Sequence, residues 1–131
     1  VDMDKFKMVN DTYGHPTGDR VIKSLARLLK QRLRKTDIVG RYGGEEFAVI
    51  LPDTDTPTAE RILNELRIAF GKVQHQYEET IFNKTFSCGV ATFPAYEDGT
   101  ALNNAADDAL YEAKRKGRNR VVVRNGNETA A

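Results

Sequence analysis

Gly43-Gly44-Glu45-Glu46-Phe47 sets two glycines directly before two adjacent carboxylates, between the apolar runs Asp37-Ile38-Val39-Gly40-Arg41-Tyr42 and Ala48-Val49-Ile50-Leu51. Glycines expose backbone N–H groups to which a phosphate can come close, and carboxylates beside them can hold a divalent cation that neutralises the same phosphate. The plainer alternative is a hairpin whose exposed turn happens to be acidic. A second group is denser. Asp2, Asp4, Lys7, Asn10, Asp11, His15 and Asp19 all fall before the first long apolar pattern. Carboxylates there can bind a metal, a lysine can neutralise phosphate, and an amide with a carboxylate can read a base edge. Taken singly, these residues are a solvated terminus, a turn at Asn10-Asp11 and a loop histidine at His15. The basic run Lys114-Arg115-Lys116-Gly117-Arg118-Asn119-Arg120 is, by itself, a helix end favoured by the macrodipole. In Arg34-Lys35-Thr36-Asp37, Arg34 is by itself a helix-end cation, although a guanidinium fork and a carboxylate have the chemistry to bind a guanine edge or a phosphate.

These groups need a scaffold, and the apolar spacing supplies one. Val21, Ile22, Leu25, Leu28, Leu29 and Leu33 recur at helical spacing from Gly18 to Leu33. Gly43-Gly44 between two β-branched runs reads as a two-residue hairpin turn at positive φ. Thr56 followed by Pro57 opens a second helix, whose buried stripe is Ile62, Leu63, Leu66, Ala69, Phe70 and Val73. Thr80–Phe82 and Thr85–Phe93 read as two strands around Asn83-Lys84, with Gly89 marking a bulge or a close backbone contact. A third helix runs from about Ala101 to Lys116 and ends at Gly117, and Arg120–Val123 forms a last short strand. The sum is an α+β fold, a two-layer sandwich with a mixed, mainly antiparallel sheet flanked by helices. Residues 125–131 have no apolar periodicity and are expected to be a disordered tail.

The chain has 131 residues, enough for one domain with its own core. Twenty Lys and Arg against nineteen Asp and Glu give a net charge of +1, so no overall nucleic-acid footprint exists and any phosphate recognition must be local. Cys88 is the only cysteine, which excludes an internal disulfide and suits a reducing compartment; between Phe86 and Val90 it reads as a buried strand residue. There is no long apolar run and no signal peptide, so a cytoplasmic domain without direct membrane contact is expected, although a membrane or sensor segment can precede it in a longer protein.

The order of motifs closely resembles the GGDEF family of diguanylate cyclases, over all of the chain but its tail. The matching residues are Asp2-x-Asp4-x-Phe6-Lys7-x-x-Asn10-Asp11-x-x-Gly14-His15-x-x-Gly18-Asp19, Arg41-Tyr42-Gly43-Gly44-Glu45-Glu46-Phe47, Ser87-x-Gly89-x-Ala91, and Ala106-Asp107-x-Ala109-Leu110-Tyr111-x-Ala113-Lys114-x-x-Gly117-Arg118-Asn119. The resemblance implies a nucleotidyl-cyclase, ferredoxin-like fold over residues 1–124. The family's N-terminal helix and most of its first strand would then lie before Asp2. It implies an enzyme that joins two GTP into cyclic di-GMP and two pyrophosphates as a homodimer, with a regulatory or sensor domain upstream. Asp2, Glu45 and the Met3 carbonyl match ligands of Mg²⁺ or Mn²⁺, two ions per active site. Glu45 also matches the acceptor of the 3′-hydroxyl proton, with Glu46 in support. Asn10 and Asp19 match guanine-reading positions with His15 nearby. Gly43 and Gly44 match the substrate-binding turn, and Lys7, Lys114 and Arg118 match phosphate contacts, Lys7 also as a transition-state stabiliser. Arg34 and Asp37 match the family's inhibitory product site. Glu65 stands where a further arginine is expected, with Arg61 and Arg67 as substitutes, which implies weaker inhibition. The competing reading is a noncatalytic receptor module for cyclic di-GMP or GTP.

Overall fold

The structure, a computed structural model, describes residues 1–94, 96 and 98–124; the tail expected at 125–131 lies outside the described residues. In chain order the elements are β1 (Asp2–Met3), α1 (Phe6–Tyr13), α2 (His15–Arg32), β2 (Ile38–Arg41), β3 (Phe47–Ile50), α3 (Thr56–Gly71), β4 (His75–Tyr77), β5 (Thr80–Phe82), β6 (Phe86–Ala91), α4 (Gly99–Arg115) and β7 (Val121–Arg124).

β6 is the centre of the main sheet. It pairs antiparallel with β1, with Asp2 opposite Ser87, and parallel with β7, with Cys88 opposite Val121. The β2–β3 hairpin, in register at Ile38 with Ile50 and Arg41 with Phe47, is joined to β1 by a bridge between Asp2 and Glu46. Successive strand residues face opposite sides of a sheet, and β6 uses both. Phe86, Cys88 and Val90 enter a core with Leu25 and Leu29 of α2 and Leu63, Leu66 and Phe70 of α3. Each such side chain, taken fully out of water, contributes about 1.5–3 kcal/mol before the cost of ordering it. Gly89 faces the other way, and a Cβ there would run into the Ala106 carbonyl oxygen and the Leu110 nitrogen of α4. The expected close backbone contact at Gly89 is therefore a strand-to-helix contact. The α+β layout expected from the sequence is present, with helices flanking the sheet.

Several local expectations are corrected. Residues 6–13, expected to be polar and turn-like at Asn10-Asp11, form α1, whose one buried residue is Val9. α2 starts at His15 rather than near Gly18, because Gly14 turns the chain at φ 89° and Pro16 fits the first helical turn, where no N–H is needed. The cap of α3 is Asp55, not Thr56: its carboxylate accepts from the Thr58 N–H at 2.9 Å. β5 pairs backward with β4, His75 opposite Phe82, and not with the strand that follows it. The turn between β2 and β3 spans residues 42–46, wider than the two-residue turn expected, and neither Gly43 nor Gly44 takes a left-handed φ.

Candidate active site

β1 lies between the hairpin and β6, so its residues face groups from both. The Val1 amino group donates to the Phe47 carbonyl at 2.9 Å, the Phe47 N–H donates to Val1 at 2.7 Å, and the Met3 N–H donates to Glu45 at 3.1 Å. These bonds place the 42–46 loop beside Asp2. Asp2 is 6% exposed, and Lys114, in the last turn of α4, reaches its Oδ2 at 2.9 Å. Glu46 is the acid directly across from Asp2. Burial, and then the charge of Asp2, push the Glu46 carboxyl above the usual carboxylate range, with Asp107 acting in the same direction and Lys114 against it. Two carboxylates, a further acid and a lysine from three distant segments thus share one electrostatic neighbourhood.

That neighbourhood bears on a metal. Mg²⁺ is commonly held by one or two carboxylates with water and substrate phosphates filling the other positions, so the pair Asp2 and Glu46 suits it. Among the described residues no group of three or more His, Cys, Asp or Glu is gathered for a metal ion. The oxygen donors fit such an ion, and Lys114 occupies part of its electrostatic role.

The loop is built differently from a free phosphate cradle. The Tyr42 and Gly43 N–H groups both donate to the Glu46 carbonyl, at 2.7 and 3.2 Å. Arg41 holds the loop from the other side, its guanidinium donating to the Gly43 carbonyl at 3.2 Å and to Gly44 at 3.1 and 2.6 Å. Arg41 opens the Arg41-Tyr42-Gly43-Gly44-Glu45-Glu46-Phe47 motif, but its place in the motif does not by itself show that it braces the loop. Glu45 enters through its carbonyl bond to Met3, with its side chain half-buried.

Asn10 packs against Gly18, the residue before Asp19. A Cβ on Gly18 would run into Asn10 Oδ1 and lie 3.2 Å from Phe6 Cζ, so only glycine lets α1 and α2 approach this closely. Asp19, the next residue, is exposed, as are Lys7 and His15. Asn10 Oδ1 is buried and has no hydrogen-bond partner. An acceptor in that state is costly unless a ligand supplies a donor.

Asp4, the second of the paired acids, does not join Asp2. It is 4% exposed and accepts from Thr85 Oγ1 at 2.7 Å, Ser87 Oγ at 2.6 Å and the Asn119 N–H at 3.0 Å. Arg118 is exposed on the turn after α4.

Arg34 and Asp37 sit apart, in a cavity of about 370 Å³ also lined by Asp53, Thr58, Ile62 and Glu65. The Arg34 guanidinium donates to Asp37 Oδ1 at 2.9 Å, to the Pro52 carbonyl at 2.8 Å and to Thr54 Oγ1 at 2.9 Å, while the Arg34 N–H donates to Asp37 Oδ2 at 2.8 Å. The bond to Arg34 holds the Asp37 carboxyl below its ordinary range and raises the guanidinium in turn. Asp37 is only 2% exposed at its side chain against 53% for Arg34, so Asp37 orients the arginine rather than offering its own edge. Arg61 pairs with Glu65 at 3.2 Å. Arg67 points elsewhere, donating to Asn119 Oδ1 at 2.8 Å.

Sheet, helices and clustered charge together define an α+β domain whose acidic and basic side chains converge at one end of β1. The chain belongs to the GGDEF family: the family model "Diguanylate cyclase, GGDEF domain" matches residues 1–120. It is 42% identical over 123 residues to diguanylate cyclase DgcP of Pseudomonas aeruginosa, covering 94% of this chain and 18% of that protein. Its fold is similar to the active GGEEF domain of a diguanylate cyclase from Vibrio cholerae, with a TM-score of 0.87 and 33% identity over 95% of this chain and 79% of that one. It is also similar to the GGDEF domain of DgcB from Caulobacter crescentus, solved with c-di-GMP, with a TM-score of 0.86 and 37% identity over 93% of this chain and 73% of that one. The chain spans 18% to 34% of the length of the first curated relatives it matches. No helix among the described residues is long and apolar enough to cross a membrane.

Proposed function

We propose that residues 1–124 act as a diguanylate cyclase module, joining two GTP into cyclic di-GMP with release of two pyrophosphates. The observation that carries this reading is the Asp2–Lys114 contact at 2.9 Å beside Glu46, which brings a metal-competent acid pair and a phosphate-competent lysine together next to the glycine loop. The family to which the chain belongs supplies the reaction class.

In each half-reaction a 3′-hydroxyl loses its proton to a loop carboxylate, Glu45, its oxygen bonds to the α-phosphorus of the other GTP, and pyrophosphate leaves. Negative charge grows on the phosphate oxygens, and Lys7, Lys114 and Arg118 offset it. Mg²⁺ or Mn²⁺ bound at Asp2, the Met3 carbonyl and the loop acids would lower the charge on the phosphates and activate the hydroxyl. Asn10 on α1 and Asp19 on α2 read the guanine, with His15 as a further contact, and the buried Asn10 Oδ1, which has no partner in the fold, turns outward to take part. One domain cannot align both nucleotides for in-line attack, so the second GTP comes from a partner copy. Arg34, oriented by Asp37, is the group for product to engage in the second cavity, and the Arg61–Glu65 pair predicts weak inhibition there.

The test is incubation of the intact protein with GTP and Mg²⁺, followed by chromatography for cyclic di-GMP. A dimeric sample that binds GTP yet makes no product would leave the receptor reading in its place. Glu45→Gln and Glu46→Gln, made separately, assign the proton acceptor: loss of turnover with GTP affinity retained marks it.

A further inference from the structure

Among the described residues, the turn after α4 is the one place where three successive residues take positive φ. Gly117, Arg118 and Asn119 follow one another at φ 123°, 65° and 48°. A helix that ends on glycine needs one left-handed residue, and that closure is present in the bond from the Arg118 N–H to the Ala113 carbonyl at 3.0 Å. Continuing through Arg118 and Asn119 is unfavourable for residues that carry a Cβ, so the surroundings must hold them. Two residues far away in sequence do. Asp4 accepts from the Asn119 N–H at 3.0 Å. Arg67 of α3 donates to Asn119 Oδ1 at 2.8 Å and to its carbonyl at 3.2 Å, and is itself aimed by Asn64 Oδ1 at 2.9 Å. The two carboxylates at the start of the chain thus divide the work: Asp2 holds Lys114, and Asp4 holds the turn that begins three residues later.

We infer that Asp4 and Arg67 are positioning residues for the phosphate end of the nucleotide, acting through Asn119 to fix the direction of Arg118 and the C-terminal end of α4. This rests on the reading of the site as one that binds GTP. A role in capping the helix alone would make Arg67 matter to stability and not to ligand choice. Positioning makes it matter to phosphate and not to the base, because Asn10 and Asp19 belong to α1 and α2 and not to the turn that Arg67 holds.

The test is NMR titration of the intact protein and its variants with Mg²⁺ and the α,β-methylene analogue of GTP, whose α–β link cannot release pyrophosphate, and in parallel with guanosine. Arg67→Ala is expected to weaken the analogue about five- to tenfold while guanosine binding stays the same. Asn119→Gly keeps the left-handed backbone and removes the acceptor, so it should lose as much, and the double variant no more than either alone. Arg67→Lys should recover part of the loss. Analogue binding unchanged in Arg67→Ala overturns the inference, as does an equal loss for guanosine. A wild-type protein that binds neither ligand overturns the GTP reading and this inference with it; one that binds both while Arg67→Ala matches it overturns the inference alone.

Discussion

Tyr13, the last residue of α1, stacks on Phe82 of β5 with ring centroids 4.5 Å apart and planes 11° from parallel. Tyr77 of β4 adds a tilted contact with Tyr13 at 5.3 Å. The small hairpin thereby steadies the helix that carries Asn10. Phe82→Ala should cost about 2 kcal/mol in chemical denaturation, below the figure for a fully buried ring because Phe82 is only half-buried. If the hairpin also sets Asn10, discrimination of GTP over ATP falls with it; competition binding with the two nucleotides measures that.

Gly18→Ala should destabilise by about 1–3 kcal/mol, since the new methyl group must displace Asn10 and Phe6. Guanine affinity should fall more than stability alone explains. Denaturation midpoints and GTP titrations on one sample separate the two.

His75 predicts an acid limit. It is 7% exposed, its ring lies between Phe70 and Phe82, and its Nε2 has no hydrogen-bond partner. Burial, with Lys84 adding to it, pushes its pKa below the ordinary imidazole value. The unfolded chain therefore binds a proton first. Stability is unaffected at neutral pH, falls as the pH drops below about 6.5, and levels off once the pH passes beneath the folded value. Urea denaturation between pH 5 and 8 should show this slope in the wild type and a shallower one in His75→Phe.

Lys114→Ala leaves the buried Asp2 carboxylate beside Glu46 without its cation. A loss of about 1–3 kcal/mol is expected, less than for a fully buried pair because Lys114 is 35% exposed. Asp2→Asn in that background should return part of it. Mg²⁺ should raise the melting temperature of Lys114→Ala more than that of the wild type, because the ion then takes the place of the ammonium. Equal shifts would place Mg²⁺ away from Asp2.

What the sequence made legible follows from how each element is stabilised. α2, α3, α4 and the β2–β3 pair carry long apolar patterns, and their existence and order were read correctly. α1 buries Val9 alone and is held by packing on α2 through Gly18, a tertiary contact that leaves almost no periodic trace. β4, His75-Gln76-Tyr77, lacks β-branched residues, so β5 was matched to the wrong neighbour. At the site, residue types named the chemistry but not the division of labour. Asp4 looked like a twin of Asp2 and is a structural acceptor; Arg67 looked like a stand-in at the product cavity and grips Asn119 instead. Both assignments depend on contacts between residues more than fifty positions apart, which spacing along the chain cannot display.

The absence of a side chain at Gly89 has one more consequence. Because α4 meets β6 backbone to backbone at Gly89, there is no compressible layer at that point and the height of the helix above the sheet is set there by atoms that do not change rotamer. Lys114, near the end of that helix, inherits the tolerance of a strand, whereas the same lysine on a side-chain cushion would drift with every repacking of the core. A glycine that carries no charge is in this sense the gauge block of the charged cluster.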